Sequence, residues 1–517
     1  ALLLMTQRRE FMKLPELDDF RNKRELHTVE LRKKQRTAET MKRRLKHQSS
    51  EGWQQAVKKI IPNYTPGGPL VEVIAGIKEH MVNAQGLAEL MQCVSTVRSM
   101  LSETSQTPIK EIVEAGFVPI LVKILDLTQF PAEIASEAAY CLANIASTNK
   151  APLFRELITC NVPAAMLSCL TCDNLRLLEH AVLALGNIAG DRVEWRNYLL
   201  RMQTDEALVS LYYRLGKSAD LELMKRLAWT LSNLVRGEPS PQMTHIYTIL
   251  PVFSELLNGT NEFLISKALW GLSHIARGGV QCAELVINSN CLPKAVECVA
   301  YGNRMVHLPA INLVGQISSG DYQQTEELFT LNILDKLSFI IMSRDSEVRK
   351  QTFWVLSNLT ADSTSQASRV INSQIIYLAL KGLTDRDTEV RREATYVFRN
   401  IALEAKPEQV MKLVAIGIIP ILRESLDNEA DSRSIFNLMD VIRVILYYGD
   451  QEGSGLTNSM CEQFCSVGIA EVFEQLLQHD NKDVVESVKG VIECYFEEVD
   501  DEMDLISGEE PQEFQFS

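Results

Sequence analysis

One polar position recurs along this chain every forty-odd residues. "LAWTLSNL" (227–234) and "TFWVLSNL" (352–359) share W-x-L-S-N-L, with Asn four places after Trp. Aligning on that Asn gives Asn144 in "AAYCLANIA", Asn187 in "AVLALGNIAG", Asn233, His274 in "ALWGLSHIA", Gln316 in "INLVGQIS", Asn358, and Asn400 in "ATYVFRNIA". The steps are 43, 46, 41, 42, 42 and 42 residues. Segments this short cannot each close a core of their own. A fixed period of this length therefore restricts the chain to units that bury their apolar faces against one another.

Each unit reads as helix–turn–helix. A short charged turn ("DSEV", 345–348; "DTEV", 387–390) opens the helix that carries the polar position. A loop follows, often with Gly, and then a second apolar helix with Pro near its start or middle ("AGFVPILVKIL", 115–125; "IGIIPILRESL", 416–426). No stretch carries a strand pattern. Weaker units precede the seven ("LMQCVSTVRSML", 90–101) and follow them ("FNLMDVIRVILYYG", 436–449), so about ten units stack into an α-solenoid.

The ends differ from the body. Residues 21–47 carry eleven Lys/Arg against three Glu, and the last 25 residues carry ten Asp/Glu with no Lys or Arg. The expected organisation is a basic arm (1–47), a linker (48–69) containing "SSEG" and "PNYTPGGP", a solenoid (70–495) and an acidic tail (496–517). A net charge of −15 argues against binding nucleic acid through phosphate neutralisation, and favours basic partners. The chain has 11 Cys without the density of a disulfide scaffold, so a reducing compartment is expected; Cys169 and Cys172, and Cys461 and Cys465, read as small buried hydrophobes. No apolar run is long enough to span a membrane, and "ALLLM" is too short for a signal-peptide core. Phosphate loops, nucleophile elbows and metal-spaced His pairs are absent, so neither enzyme activity nor a cofactor or metal is expected.

Residues i and i+4 share a helix face. One W-x-x-x-N is most simply a core Trp and a locally bonded Asn. Repetition shifts the reading, because Asn is a poor helix former with an amide to satisfy. A rung every 42 residues makes a ladder that can bond the backbone of an extended peptide, and adjacent indoles can hold a Lys or Arg stem.

The array resembles the importin-α family of armadillo-repeat adaptors. "HAVLALGNIAGD" (180–191), "LAWTLSNLVRG" (227–237) and "RKQTFWVLSNLTA" (349–361) are similar to that family's third, fourth and seventh repeats. "VELRKKQRTAETMKRRL" (29–45) resembles its importin-β-binding arm, and "ECYFEEVDDEMD" with "PQEFQF" its tail. The resemblance implies a right-handed superhelical solenoid of about ten armadillo repeats. It further implies an adaptor that shuttles between cytoplasm and nucleus. Such an adaptor binds nuclear localisation signals, engages importin-β through Arg32, Lys33, Lys34 and Arg36, and is recycled by an exportin with Ran-GTP. A major groove would use Tyr140, Asn144, Leu183, Asn187, Asp191, Trp229, Asn233 and Trp270. A minor groove would use Gln316, Trp354, Asn358, Glu393, Tyr396 and Asn400. Lys42, Arg43 and Arg44 match an arm segment that can occupy the protein's own groove.

The resemblance breaks at several groove positions. The family's Trp is Tyr140, Leu183 and Tyr396 here; its Gly and Thr beside Asn144 are Thr148 and Leu153. Two family acids are Lys267 and Arg277, and Asn312, Gln316 and Gln351 also depart. This pattern implies a divergent member with altered major-groove preference. The alternative is an importin-α-like scaffold for a few dedicated partners, with general signal binding weakened or lost.

Overall fold

Short polar side chains begin the helices that carry the recurring position. Asn174, Asp220, Asn261, Asp345 and Asp387, and Asn481 before the last helix, each accept from a backbone N–H in the first turn at 2.9–3.2 Å. Such caps satisfy donors that the helix itself cannot. The computed structural model describes residues 53–61, 64, 69–102, 107–148, 150–216, 220–361, 363–452 and 459–496. Within them the ladder helices are α1 (Leu87–Ser102), α2 (Ala132–Ile145), α3 (Leu175–Ala189), α4 (Leu221–Leu234), α5 (Glu262–Ala276), α6 (Arg304–Ser318), α7 (Ser346–Leu359), α8 (Thr388–Glu404), α9 (Ser432–Glu452) and α10 (Lys482–Tyr495). The described residues contain helices and no strands, and the fold is an armadillo-repeat α-solenoid.

The repeat has three helices where the sequence reading has two. Between α3 and α4, for example, lie Val193–Arg201 and Thr204–Leu215. The first member of such pairs is about two turns long, too short for its periodicity to stand out from a loop. The joint between the two short helices is one residue in the left-handed region: Gly116, Asn161, Gln203, Asn290, Asn332, Gly417 and Gly468. Gly, and next Asn, adopt that conformation at least cost, which places "AGF", "CNV" and "LNI" at the joints. Between α4 and α5 the pair is fused into one helix, Met243–Leu257.

Contacts divide the chain into two units. One contains the described residues up to Cys298 together with Gly302–Leu313; the other contains Val299–Tyr301 and the described residues from Val314. In the first, α1 to α5 pack side by side in chain order. In the second, α7 to α10 do the same. Each core is built from Leu, Ile, Val and Ala on these helices, for example Leu142, Leu185 and Leu231 in one and Leu356, Phe398 and Ile442 in the other, all fully buried.

The expected linker contains structure. Trp53–Ile60 is a helix with Val57 and Ile60 buried, and it packs on Leu70–Asn83 and α1. Trp53, Val57 and Ile60 share one face by their spacing, and the Pro and Gly residues that follow hide that signal. The arm residues Arg32, Lys33, Lys34, Arg36, Lys42, Arg43 and Arg44, and the tail from residue 497, lie outside the described residues. All eleven cysteines are free; Cys169 is buried with its Sγ 3.9 Å from the Leu125 carbonyl, but Cys172 and Cys461 are only half-buried and Cys465 is exposed, so the second pair does not belong to the core. Among the described residues, no helix is long and apolar enough to cross a membrane, and no His/Cys/Asp/Glu group could hold a metal.

Candidate functional site

The ladder asparagines are buried: Asn144, Asn187, Asn233 and Asn358 are at most 1% exposed, and Asn400 is half-buried. Each amide Nδ2 donates backwards, to a carbonyl on the preceding ladder helix. Asn144 reaches Leu101 O at 3.1 Å, Asn187 reaches Ala143 O at 2.9 Å, and Asn233 reaches Gly186 O at 3.0 Å. Asn358 reaches Gly315 O at 3.5 Å and Ser318 Oγ at 3.1 Å, and Asn400 reaches Ser357 O at 2.8 Å. From Asn187 onward the acceptor is always the residue just before the previous recurring position. The Asn is thus a stitch between repeats. The amide adds a second donor to carbonyls that already accept a local N–H, Gly190 N on Gly186, Ser319 N on Gly315 and Thr360 N on Ser357. A net hydrogen bond of about 0.5–1.5 kcal/mol between repeats offsets the poor helix propensity of Asn.

The two indoles of the shared octet are seated the same way. Trp229 and Trp354 are nearly buried, at 2% and 4% exposed. A Cβ on Gly186 would overlap the Trp229 ring, and one on Gly315 would overlap the Trp354 ring. The same glycine therefore gives its missing side chain to the Trp and its carbonyl to the Asn of the next repeat. Sequence reasoning passed over Gly186 and Gly315; their signal was a Gly directly before the recurring position, in "LGN" and "VGQ".

Other rungs differ. On α5, Trp270 is only half-buried and stacks on its own His274, with ring centroids 6.0 Å apart. The α4 residue equivalent to Gly186 is Ser232, which is buried and carries a side chain where Gly186 has none. Ser357 holds that place for Tyr396, which is likewise half-buried. Tyr140 is buried, accepts from Ser102 Oγ at 3.0 Å, and meets His180 edge-on at 5.1 Å. Leu183 is fully buried. Among the described residues, Nδ1 of His274, Oε1 of Gln316 and Nε1 of Trp354 are buried without hydrogen-bond partners.

Charged residues border the ladder. Asp191 follows the end of α3 and is paired with Arg192 at 2.8 Å. Glu393 is buried on α8 beside Arg392. Ion pairs tie α8 to its successor repeat: Arg391–Glu429 at 3.0 Å, Arg392–Asp431 at 3.2 Å and Arg399–Asp440 at 2.7 Å. Burial, and then the charge of Glu393, push the Tyr396 hydroxyl above its ordinary pKa. Arg196, fully buried, donates to the carbonyls of Arg236 (2.8 Å) and Pro239 and so holds the loop after α4.

No family model matches the chain. It is similar to importin subunit alpha-1b of Oryza sativa subsp. japonica, 29% identical over 427 residues that cover 82% of this chain and 79% of that protein. It is also similar to importin subunit alpha-3 of Arabidopsis thaliana, 26% identical over 509 residues, covering 96% of this chain and 93% of that one. The crystal structure of an engineered protein shares the fold, with a TM-score of 0.69 and 23% identity over 81% of this chain and 98% of that chain. The chain is thus similar over most of its length to importin-α subunits, and it shares the armadillo-repeat fold.

The positions that depart from the expected pattern have local roles. Thr148 accepts from Lys150 N at 3.2 Å, and Leu153 is buried. Asn312 accepts from Ser273 Oγ at 2.6 Å, and Gln351 donates to Glu347 at 3.0 Å. Lys267 lies with its Nζ 5.6 Å from the Phe263 ring, and Arg277 follows the last residue of α5.

Proposed function

We propose that this chain works as a nuclear import adaptor. It holds Lys/Arg-rich nuclear localisation signals in extended form along the ladder and links them to importin-β through the basic arm. The observation that carries the reading is a donor and an acceptor on neighbouring ladder helices. The Trp354 indole N–H and the Gln316 side-chain carbonyl are both buried and unpartnered among the described residues. Gly315, directly before Gln316, lies against the Trp354 ring. An extended peptide backbone supplies one carbonyl and one N–H per residue and can satisfy both.

The stitches support the same reading. Each fixes the direction of a whole amide group, so Asn144, Asn187, Asn233, Asn358 and Asn400 are oriented before a peptide arrives, which lowers the ordering cost of binding. Tyr140, Asp191, Trp229 and Trp270 complete the major groove, where Leu183, fully buried, supports the floor rather than lining it, and Glu393 and Tyr396 complete the minor one. Lys42, Arg43 and Arg44 occupy the groove in the absence of importin-β. Export with Ran-GTP through the tail, and shuttling between cytoplasm and nucleus, belong to the same cycle.

Titration of a fluorescent Lys-rich peptide tests this. Trp354→Phe keeps most of the ring and removes the donor, so affinity should fall several-fold while Tm changes little. Asp191→Asn should weaken binding by a similar factor, and so should Asn187→Ala with Asn233→Ala. Removal of residues 1–47, which leaves the packed Trp53–Ile60 helix in place, should tighten binding. A Lys-rich peptide bound no tighter than an uncharged scrambled one would reject the adaptor in favour of a scaffold for dedicated partners.

A further inference from the structure

The rung on α5 has a different chemistry from its neighbours. Lys267, Trp270, His274 and Arg277 follow one another at helical spacing of three, four and three residues, which puts them along one face of α5. Arg226 and Arg236 hold the places on α4 equivalent to Lys267 and Arg277. Arg226 is paired with Glu179 at 3.4 Å. Lys225 and Lys267, from the two adjacent helices, both bring Nζ within 6.0 Å of the single Phe263 ring. Arg277, Arg236 and Lys267 all act as positive neighbours of buried His274, whose imidazole is held neutral chiefly by that burial. The acids nearest in sequence are Glu222, paired with Lys225 at 2.7 Å, Glu262 at the start of α5, which accepts from Asn303 Nδ2, and Glu238, exposed on the loop after α4.

We propose that the α4–α5 rung is a site for an anionic group, a carboxylate or a phosphate, carried by a peptide that lies along the ladder. The inference rests on the reading of the ladder as a peptide groove. A basic segment on α2 to α4 meets like charge at Lys267 and Arg277, so the residue that continues onto α5 must be neutral or acidic. Lys267 and Arg277, with Arg236, then pair with an Asp or Glu carboxylate or with a phosphorylated Ser. The half-buried Trp270–His274 stack gives that residue an apolar floor. The site thus sets specificity: it selects peptides in which acidic residues stand on one side of the basic cluster.

The experiment uses the full chain and a fluorescent Lys-rich peptide extended on either its N- or C-terminal side by three Gln, three Glu or one phosphoserine. On one side only, the Glu and phosphoserine peptides should bind roughly threefold to tenfold tighter than the Gln peptide, and the gain should shrink with salt. Lys267→Gln with Arg277→Gln should remove the gain while the Gln peptide binds as well as before or better. Equal affinity for all extensions, or a gain that survives the double substitution, would overturn the site. A Glu-rich peptide without the Lys cluster separates the two readings. If the Lys-rich peptides do not bind but the Glu-rich peptide saturates and is lost in the double variant, the anionic site stands and the adaptor falls. If neither binds, both fall.

Discussion

The rungs on α4 and α5 are neighbours with almost the same text, "LAWTLSNL" and "ALWGLSHI", yet they are built differently. On α4, Trp229 sinks into the notch of Gly186 and Asn233 bonds that same residue's carbonyl at 3.0 Å. On α5, the indole meets a position occupied by Ser232, stays half-exposed and stacks on His274, whose Nδ1 has no partner. In this array the Trp that faces a Gly on the helix before it is a core residue, and the one that faces a Ser is half-exposed.

The largest effect should come from filling a notch. Gly186→Ala or Gly315→Ala forces a methyl into an indole, and overpacking of this kind costs about 1–3 kcal/mol or more. Thermal or urea unfolding should show a loss near the top of that range at both sites. Ala at Gly302, where nothing lies within 4 Å, should leave stability unchanged. Equal behaviour of the three would dissolve the comparison.

Removing a stitch should cost somewhat less. Asn233→Ala removes one of two donors to the Gly186 carbonyl, which keeps Gly190 N at 3.0 Å, so the cost should be about 1–1.5 kcal/mol, that of a net hydrogen bond. Asn358→Ala should cost less, because its bond to Gly315 is 3.5 Å long. A larger loss at Asn358 in urea unfolding would show that the Ser318 contact, not the stitch, carries the energy.

Acid probes the histidines beside the rungs. His180, packed on Tyr140 with Nδ1 2.9 Å from the Ser136 carbonyl, is pushed down to about 4, first by burial. Because the folded value lies below the unfolded one near 6.5, the unfolded chain takes up the proton first. Stability should therefore fall as pH drops through about 6.5 and keep falling until about 4, by on the order of 1–2 kcal/mol at pH 5. His274 adds in the same direction. Tm measured at pH 7 and pH 5 should converge in His180→Phe; an unchanged slope would place the protonation elsewhere.

The smallest effect is the most specific. Ser232→Gly with His274→Asn rewrites the α5 rung in the terms of α4. Stability should rise by about 0.5–1 kcal/mol, a typical net hydrogen bond, and iodide quenching of Trp fluorescence should fall as Trp270 becomes covered. Undiminished quenching would mean that something other than Ser232 keeps the indole out.

Much of this was legible in the sequence. The period named the architecture, because only stacked units explain a polar residue every 42 positions. The recurring Asn, His and Gln fall on equivalent helices, as alignment on them required. What escaped was of two kinds. Short helices such as Val193–Arg201 and Trp53–Ile60 carry too few turns to separate from loops, and the Pro and Gly residues after the latter pointed the other way. Pairings across repeats were also invisible: the partner of Trp229 is 43 residues upstream, on another helix, and is a residue with no side chain. The buried stitch role of the amides was weighed as the plain reading of a single W-x-x-x-N. Repetition suggested a peptide-binding role, but it marks the stitch equally well.

The backward stitch has a consequence for how such a chain can change. Because each repeat binds the carbonyl and fills the notch of its predecessor, the repeat is not a self-contained word. A repeat whose Trp is buried, as on α4 and α7, follows one with Gly directly before the recurring position; after Ser232 the Trp of α5 stays half-exposed, and the repeat with Leu, on α3, follows Ala143. Shuffling, duplicating or grafting repeats therefore obeys a rule of order, and the piece that can be moved without loss is the junction between two ladder helices.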